Sequence, residues 1–239
     1  MDNRLTFVFM SDKIIETECI NMEKNNKKIT KRLEKENIRD QRIIDTAFHI
    51  FVERKIEPVS MGEIAEAAGI GRATLFRCYS SKLKLAIAVC AAKWKTYLDE
   101  LDAKRPISSI EDVPAIDRFI FTMDSYIDMY QHHKELLQYN DNFNHYVTHE
   151  GAKEEQLYDF HRALHSANTR FHLMYEKAKE DKTFRTDIPE DIFFRVTLHS
   201  MMAACAHYAG GFIWGAEDNK DYTAELILQK KMIVDFAKG

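Results

Sequence analysis

PVSMGEIAEAAGIGRATLFRCYSSKLKL, residues 58–85, decides how the rest of the chain is read, because its caps, breaker and apolar spacing describe two short helices crossing at a tight turn. Ser60 and Glu63 have the S-x-x-E spacing of a capping box, which starts a helix at about Met61. Met61, Ile64, Ala65 and Ala68 recur at helical spacing, and the small members of this narrow stripe admit a second helix close by. Gly69 ends the helix, since the residue after a helix often needs a positive φ that glycine adopts without a Cβ penalty, and Ile70 plugs the angle. The next helix starts at about Gly71 or Arg72. Leu75 and Tyr79 face inward, which turns Arg72, Ala73, Thr74, Phe76 and Arg77 outward or to the flanks. Ser80 or Ser81 caps a further helix beginning near Lys82.

A helix-turn-helix of this kind offers the first turn of its second helix to the DNA major groove. Arg72 and Ala73 are then the base readers, and an arginine there can hold guanine by two hydrogen bonds. Thr74 and Phe76 are backbone contacts, and the Lys82 ammonium with the first-turn amides of its helix forms a third contact to phosphate. Ser60 and Arg77 complete the candidate DNA-binding set. The alternative is a helix-turn-helix that serves only as a packing unit; the turn, caps and basic residues together favour DNA.

The segment resembles the DNA-binding domain of TetR/AcrR-family transcriptional repressors. Ile64 and Ala65, Ala68 and Gly69, the run Thr74, Leu75 and Phe76, and the pair Ser81 and Lys82 stand where that family has Ile-Ala, Ala-Gly, Thr-Leu-Tyr and Ser-Lys. It departs at Gly71, where the family usually has Ser, and at Phe76, which keeps the ring of the usual Tyr without its hydroxyl. The resemblance is specific from residue 41 to about 90 and extends loosely, in length and helical layout, to the C-terminus. It implies an all-α protein in which a three-helix DNA-binding domain precedes a helical ligand-binding and dimerisation domain, acting as a ligand-responsive repressor on a palindromic operator.

Composition agrees with a globular two-part chain: 239 residues suffice for a sizeable core, and 45% hydrophobic with 30% charged residues is ordinary for a soluble protein. The longest apolar run, Met201 to Ala206, is far too short to cross a bilayer, and LTFVFM at residues 5–10 is too short for a secretory core. Cys19, Cys78, Cys90 and Cys205 have no paired or metal-binding spacing, which fits a reducing cytoplasm. Charge is segregated. Residues 22–105 hold 18 Lys and Arg against 12 Asp and Glu, a net of +6, whereas residues 106–239 hold 14 against 22, a net of −8. The basic part carries the helix-turn-helix, as a phosphate-facing domain requires.

Three regions follow: an N-terminal extension over 1–38, the helix-turn-helix domain over 39–90, and a ligand-binding and dimerisation domain over 91–239. The extension is a mobile arm or a helix running into the first helix, and its Lys24, Lys27, Lys28, Lys31 and Arg32 either follow DNA or are simply solvated. Residues 1–21 are acidic, and Met22 immediately precedes the family-like stretch, so translation is expected to begin there. Helices are expected at about 39–55, 82–104, 113–132, 134–148, 152–180, 189–213 and 221–237, with no strand pattern competing.

Aromatic and methionine stripes on the middle helices describe an adaptable apolar pocket for a small-molecule effector, with Phe119, Met123, Tyr126, Tyr139, Phe143, Tyr146, Phe171 and Tyr175 as candidate lining; plain core packing explains the same stripes. His145 with His149, and His161 with His165, are i, i+4 pairs, each an incomplete metal-ligand set, so no metal or other cofactor is expected. The last two helices combine bulky residues with Ala203, Ala204, Ala206, Ala209, Gly210 and Gly211, and Leu226, Ile227, Ile233 and Phe236 form a partner stripe. They suit a homodimer seam or an intramolecular core. Catalytic signatures are missing: there is no G-x-S-x-G, no phosphate loop and no H-E-x-x-H, and Gly69 and Gly71 follow a helix rather than a strand. The reading is a DNA-binding regulator, with a non-DNA-binding adaptor or a helical enzyme as alternatives.

Overall fold

A computed structural model describes residues 3–106, 109, 111–211 and 221–239 of the chain, with side chains from Lys28 onward except Ser166. The described residues form ten α-helices and no strand. The backbone divides into two compact units, 1–43 and 44–239. The first is helical throughout its described residues as the N-terminal part of α1 (Asn3–Arg54). Lys28, Lys31 and Arg32 are exposed on it, and Arg32 pairs with Glu36 one turn on at 2.9 Å.

The second unit opens with the last turns of α1, where Ile44, Ala47, Phe48 and Phe51 are buried. α2 (Met61–Ala67) and α3 (Arg72–Cys78) form the helix-turn-helix, and α4 (Lys82–Lys104) leaves it. Gly69 between α2 and α3 has φ +64°, and the Ile70 amide donates back to the Ala65 carbonyl at 2.9 Å, which closes the turn. Ile64 and Leu75 are fully buried on the facing sides of the two helices.

The remaining helices are α5 (Ala115–His132), α6 (Lys134–His149), α7 (Tyr158–Ala163), α8 (His165–Asp181), α9 (Glu190–Gly210) and α10 (Thr223–Lys238). α4 packs on α6 and α7, α5 packs on α8, α9 and α10, and α6 packs on α9. The single helix expected over 152–180 is in fact three pieces. A 3-10 turn at Glu154–Gln156 is closed by the Lys153 amide on the Gln156 side chain at 2.9 Å, and the chain breaks again at Leu164. No proline or glycine marks these breaks. They arise because α7 turns to lie along α4 and sets Phe160 against Phe143, with ring centroids 5.5 Å apart. α9 ends at Gly210, short of the expected 213, because Gly211 takes φ +95° as its C-cap; residues 212 and 213 fall outside the described residues.

One side chain joins three of these elements. Tyr139 of α6 is fully buried, with its ring 5.4 Å from Phe48, 6.3 Å from Phe51 and 6.0 Å from Phe143, and its hydroxyl donates to the Ala86 carbonyl of α4 at 2.7 Å. The neighbouring Asn142 accepts from the Ile56 amide at 3.2 Å, so α6 also holds the loop that leads into α2. Removing only the hydroxyl, in Tyr139→Phe, is expected to lower the unfolding free energy by about 1 kcal/mol, and Tyr139→Ala by about 3–5 kcal/mol through the cavity it leaves; urea denaturation measures both.

Candidate nucleic-acid interface and effector cavity

The capping box at the start of α2 is complete. Ser60 Oγ accepts from the Glu63 amide at 3.2 Å, and the Glu63 carboxylate accepts from the Ser60 amide at 2.8 Å and from its hydroxyl at 2.7 Å. Arg54, the last residue of α1, pairs with the other carboxylate oxygen at 2.7 Å. The end of α1 and the start of α2 are thus joined through one carboxylate. Ser60 stands near the proposed interface but spends its hydroxyl on this cap.

Of the outward residues on α3, Arg72, Ala73, Phe76 and Arg77 are exposed and Thr74 is partly covered, with Arg77 3.4 Å from the Thr74 hydroxyl. Phe76 keeps 49% of its surface exposed, a large ring for which the protein core offers no shelter. Arg72 lies across α2 with its guanidinium against Gly62: a Cβ built on Gly62 would sit 3.0 Å from Arg72 Cζ and Nε. The spacing analysis gave Gly62 no role, because the contact is made across the turn.

Lys82 is more committed than expected. Its ammonium donates to the carbonyls of Glu57 at 2.6 Å and Val59 at 3.0 Å, and lies 5.4 Å from the centre of the Tyr146 ring. It therefore ties the loop around Pro58 to the start of α4. Ser81 supplies the α4 cap, accepting from the Lys84 amide at 3.2 Å.

A cavity of about 510 Å³ lies between α4, α5, α6, α7, α8 and α9. Trp94, Leu98 and Leu101 of α4 line one side, Phe121, Thr122, Tyr126 and Met129 of α5 another, and Phe160, Leu164, Phe171, Met174, Leu198 and Met202 most of the rest. Its volume and largely apolar wall suit a small organic molecule. The expected pocket set is redistributed. Tyr126 and Phe171 line the cavity, whereas Phe119, Met123, Tyr139, Phe143, Tyr146 and Tyr175 do not. Tyr139 instead packs on α1, Tyr146 lies beside Lys82 at the start of α4, and Phe143 sits between Tyr139 and Phe160 of α7. Phe119 and Tyr175 belong to a second aromatic cluster with Phe184, Phe193 and Phe194, in which Phe184 and Phe193 stack at 5.1 Å, and Met123 is wholly buried. The stripes lie on helices that border the cavity, but most of the named side chains sit on other faces, because these helices bury apolar side chains on more than one side. Burial pushes the pKa of the Tyr126 phenol up.

The histidine pairs do not converge. His145 faces Asp141 at 4.0 Å, and His161 pairs with Glu154 at 2.9 Å. The three-ligand grouping found among the described residues is elsewhere: His172 and Glu176 of α8 meet Glu190 of α9, with His172 Nδ1 3.2 Å from Glu190, while Lys179 holds Glu176 at 2.6 Å. The sequence hid it because Glu190 comes from another helix.

On α10, Leu226 faces the core and is fully buried, so it does not belong to an outer stripe as expected; Ile227, Leu228, Met232 and Phe236 are exposed, and Ile192 and Val196 are exposed on α9. No helix among the described residues is long and apolar enough to cross a membrane.

Residues 43–89 match the model of the family described as bacterial regulatory proteins, tetR family. The HTH-type transcriptional repressor KstR2 of Rhodococcus jostii is 27% identical over 176 residues, covering 71% of this chain and 79% of that protein. Among solved structures, the fatty acid degradation regulator FadR of Bacillus halodurans aligns with a TM-score of 0.59 at 14% identity, over 81% of this chain and 97% of its own. The ketosteroid transcriptional regulator KstR2 of Mycobacterium tuberculosis aligns with a TM-score of 0.53 at 13% identity, over 84% and 95%. At these identities the structural likeness speaks for the fold.

The α2 cap makes the domain acid-sensitive in a defined window. The Glu63 carboxyl is held down at about 2, first by the Ser60 amide, then by the Ser60 hydroxyl and by Arg54. A carboxylate whose native pKa lies below its ordinary value of 4.5 adds stability that is complete above that value and disappears as pH falls toward 2. Melting curves at a series of pH values are expected to show a constant gap between wild type and Glu63→Gln down to about pH 5, which closes as the pH falls further.

Proposed function

The chain belongs to the TetR family of bacterial transcriptional regulators, and from that premise we propose a ligand-responsive repressor that binds a palindromic operator as a homodimer. The observation that carries this reading is the outer face of α3, where Arg72, Ala73, Phe76 and Arg77 stand exposed on a helix whose opposite side is fixed by Leu75. A seven-residue helix reads few base pairs. Two copies on one face of the duplex, about one helical turn apart, read a palindrome. The exposed Ile192, Val196, Ile227, Leu228, Met232 and Phe236 supply the apolar surface that a second copy would cover, by way of a four-helix seam of α9 and α10 from each protomer. The domain division falls within α4, a cytoplasmic location follows from the DNA target, and no catalytic role is assigned.

Release follows from how the cavity is walled. α4 runs from the helix-turn-helix into the cavity wall, so an effector that spreads α4 from α5 swings the two recognition helices out of register. A second connection runs through rings: Phe160 on the wall touches Phe143, which touches Tyr139, which packs on Phe48 and Phe51 of α1. An effector shifts the balance only by the difference in its affinity for the two arrangements.

Mobility shifts with genomic fragments, at several salt concentrations, test the reading; absence of any salt-sensitive preference overturns it. Arg72→Ala is expected to relax discrimination at one base pair of each half-site by about 1–3 kcal/mol. Lys82→Ala is expected to weaken all sequences alike and also to lower the melting temperature, because it frees the loop at Glu57 and Val59. Placing glutamate at both Val196 and Met232 is expected to give a monomer in sedimentation, with loss of tight operator binding.

A further inference from the structure

Arg105, the first residue after α4, lines the cavity, and its guanidinium lies over the Phe121 ring at 4.7 Å. The other two arginines of the wall are occupied. Arg170 pairs with Asp102 and donates to the Arg105 carbonyl at 2.7 Å, and Arg118 donates to the carbonyls of Glu111, Val113 and Leu173. No carboxylate pairs with Arg105 among the described residues. Burial depresses the pKa of Arg118, Asp181 works against this, and the charge of Arg105 adds to the depression, as expected of two cations sharing one space. The one carboxylate on the cavity wall, Asp141, is contributed by α6 and is exposed.

Resting on the reading of this cavity as an effector site, we propose that its occupant is an amphipathic anion, with a carboxylate-type head on Arg105 and an apolar body lying along α5 toward Met129. The body has room to extend: from Phe121 to Met129 the helix rises by about 12 Å. Tyr126, also on the cavity wall, lies partway along that path. A planar guanidinium already seated on a ring meets a carboxylate through two parallel hydrogen bonds and loses little freedom in doing so. The carbonyl end of α4 opposes an anion, but partial charges at a helix terminus are weaker than the full charges of Arg105 and Arg118. A neutral occupant would leave Arg105 without a counter-charge, whereas Arg118 already has Asp181, Glu180 and Glu111 acting on it.

Matched probes isolate the charge: decanoate against decanamide, and biphenyl-4-carboxylate against biphenyl-4-carboxamide, titrated by quenching of tryptophan emission, with Trp94 on the cavity wall, and by calorimetry. Each carboxylate is expected to bind at least about tenfold tighter than its amide. Arg105→Met is expected to abolish that preference while leaving amide affinity and melting temperature unchanged, and Arg105→Lys to retain part of it. Equal binding within each pair, or a preference that survives Arg105→Met, overturns the proposal while sparing the cavity's role. Binding of no probe at all removes the effector reading of the cavity, and the proposal with it.

Discussion

Tyr139 is the constraint on which the arrangement rests. A phenol with no exposed surface must place its hydroxyl on an acceptor, and the acceptor it finds is the Ala86 carbonyl near the start of α4. Its ring meanwhile fills the space between Phe48 and Phe51. The DNA-binding helices and the cavity-forming helices are therefore not beads on a tether: α6 is packed against the first and lines the second. Asn142 and Tyr146, three and seven residues further on the same helix, reinforce this by holding the Ile56 amide and flanking the Lys82 ammonium.

What was legible in the sequence was local. The Ser60 and Glu63 box, the turn at Gly69, the inward Leu75 and the cap at Ser81 depend on residues within a few positions of one another, and each stands where spacing put it. The breaks near Leu157 and Leu164 were not legible, because no residue there forbids a helix; they are imposed by what α7 must cover on α4. Which face of each aromatic helix looks into empty space was hidden for the same reason. Phe119 and Phe121 are equally apolar on paper, yet the first is buried in a ring cluster and the second borders the cavity. Lys82 shows the same limit at the interface: its position was readable, but its grip on Glu57 and Val59 depends on where a loop returns.

The two aromatic clusters divide the work of the helical domain. Phe119, Tyr175, Phe184, Phe193 and Phe194 pack α5, α8, α9 and the stretch between them into a firm base. Tyr139, Phe143 and Phe160 face the other way, toward α1 and α7. The cavity lies between them, bordered by Phe171 on one side and Phe160 on the other. On the proposed reading as an effector site, this placement between the ring cluster and the junction with the helix-turn-helix is what would let its filling be felt there.

Gly62 has a consequence of its own. Inside a seven-residue helix an alanine would serve the backbone better, yet the bare flank of this glycine is where the arginine of the neighbouring helix comes to rest. The far end of a flexible side chain gives way easily, so a methyl group at residue 62, which would meet the guanidinium at 3.0 Å, would nudge it aside rather than break the fold. On the proposed reading of Arg72 as a base reader, residue 62 bears on recognition from behind the helix, by setting the berth from which that arginine starts.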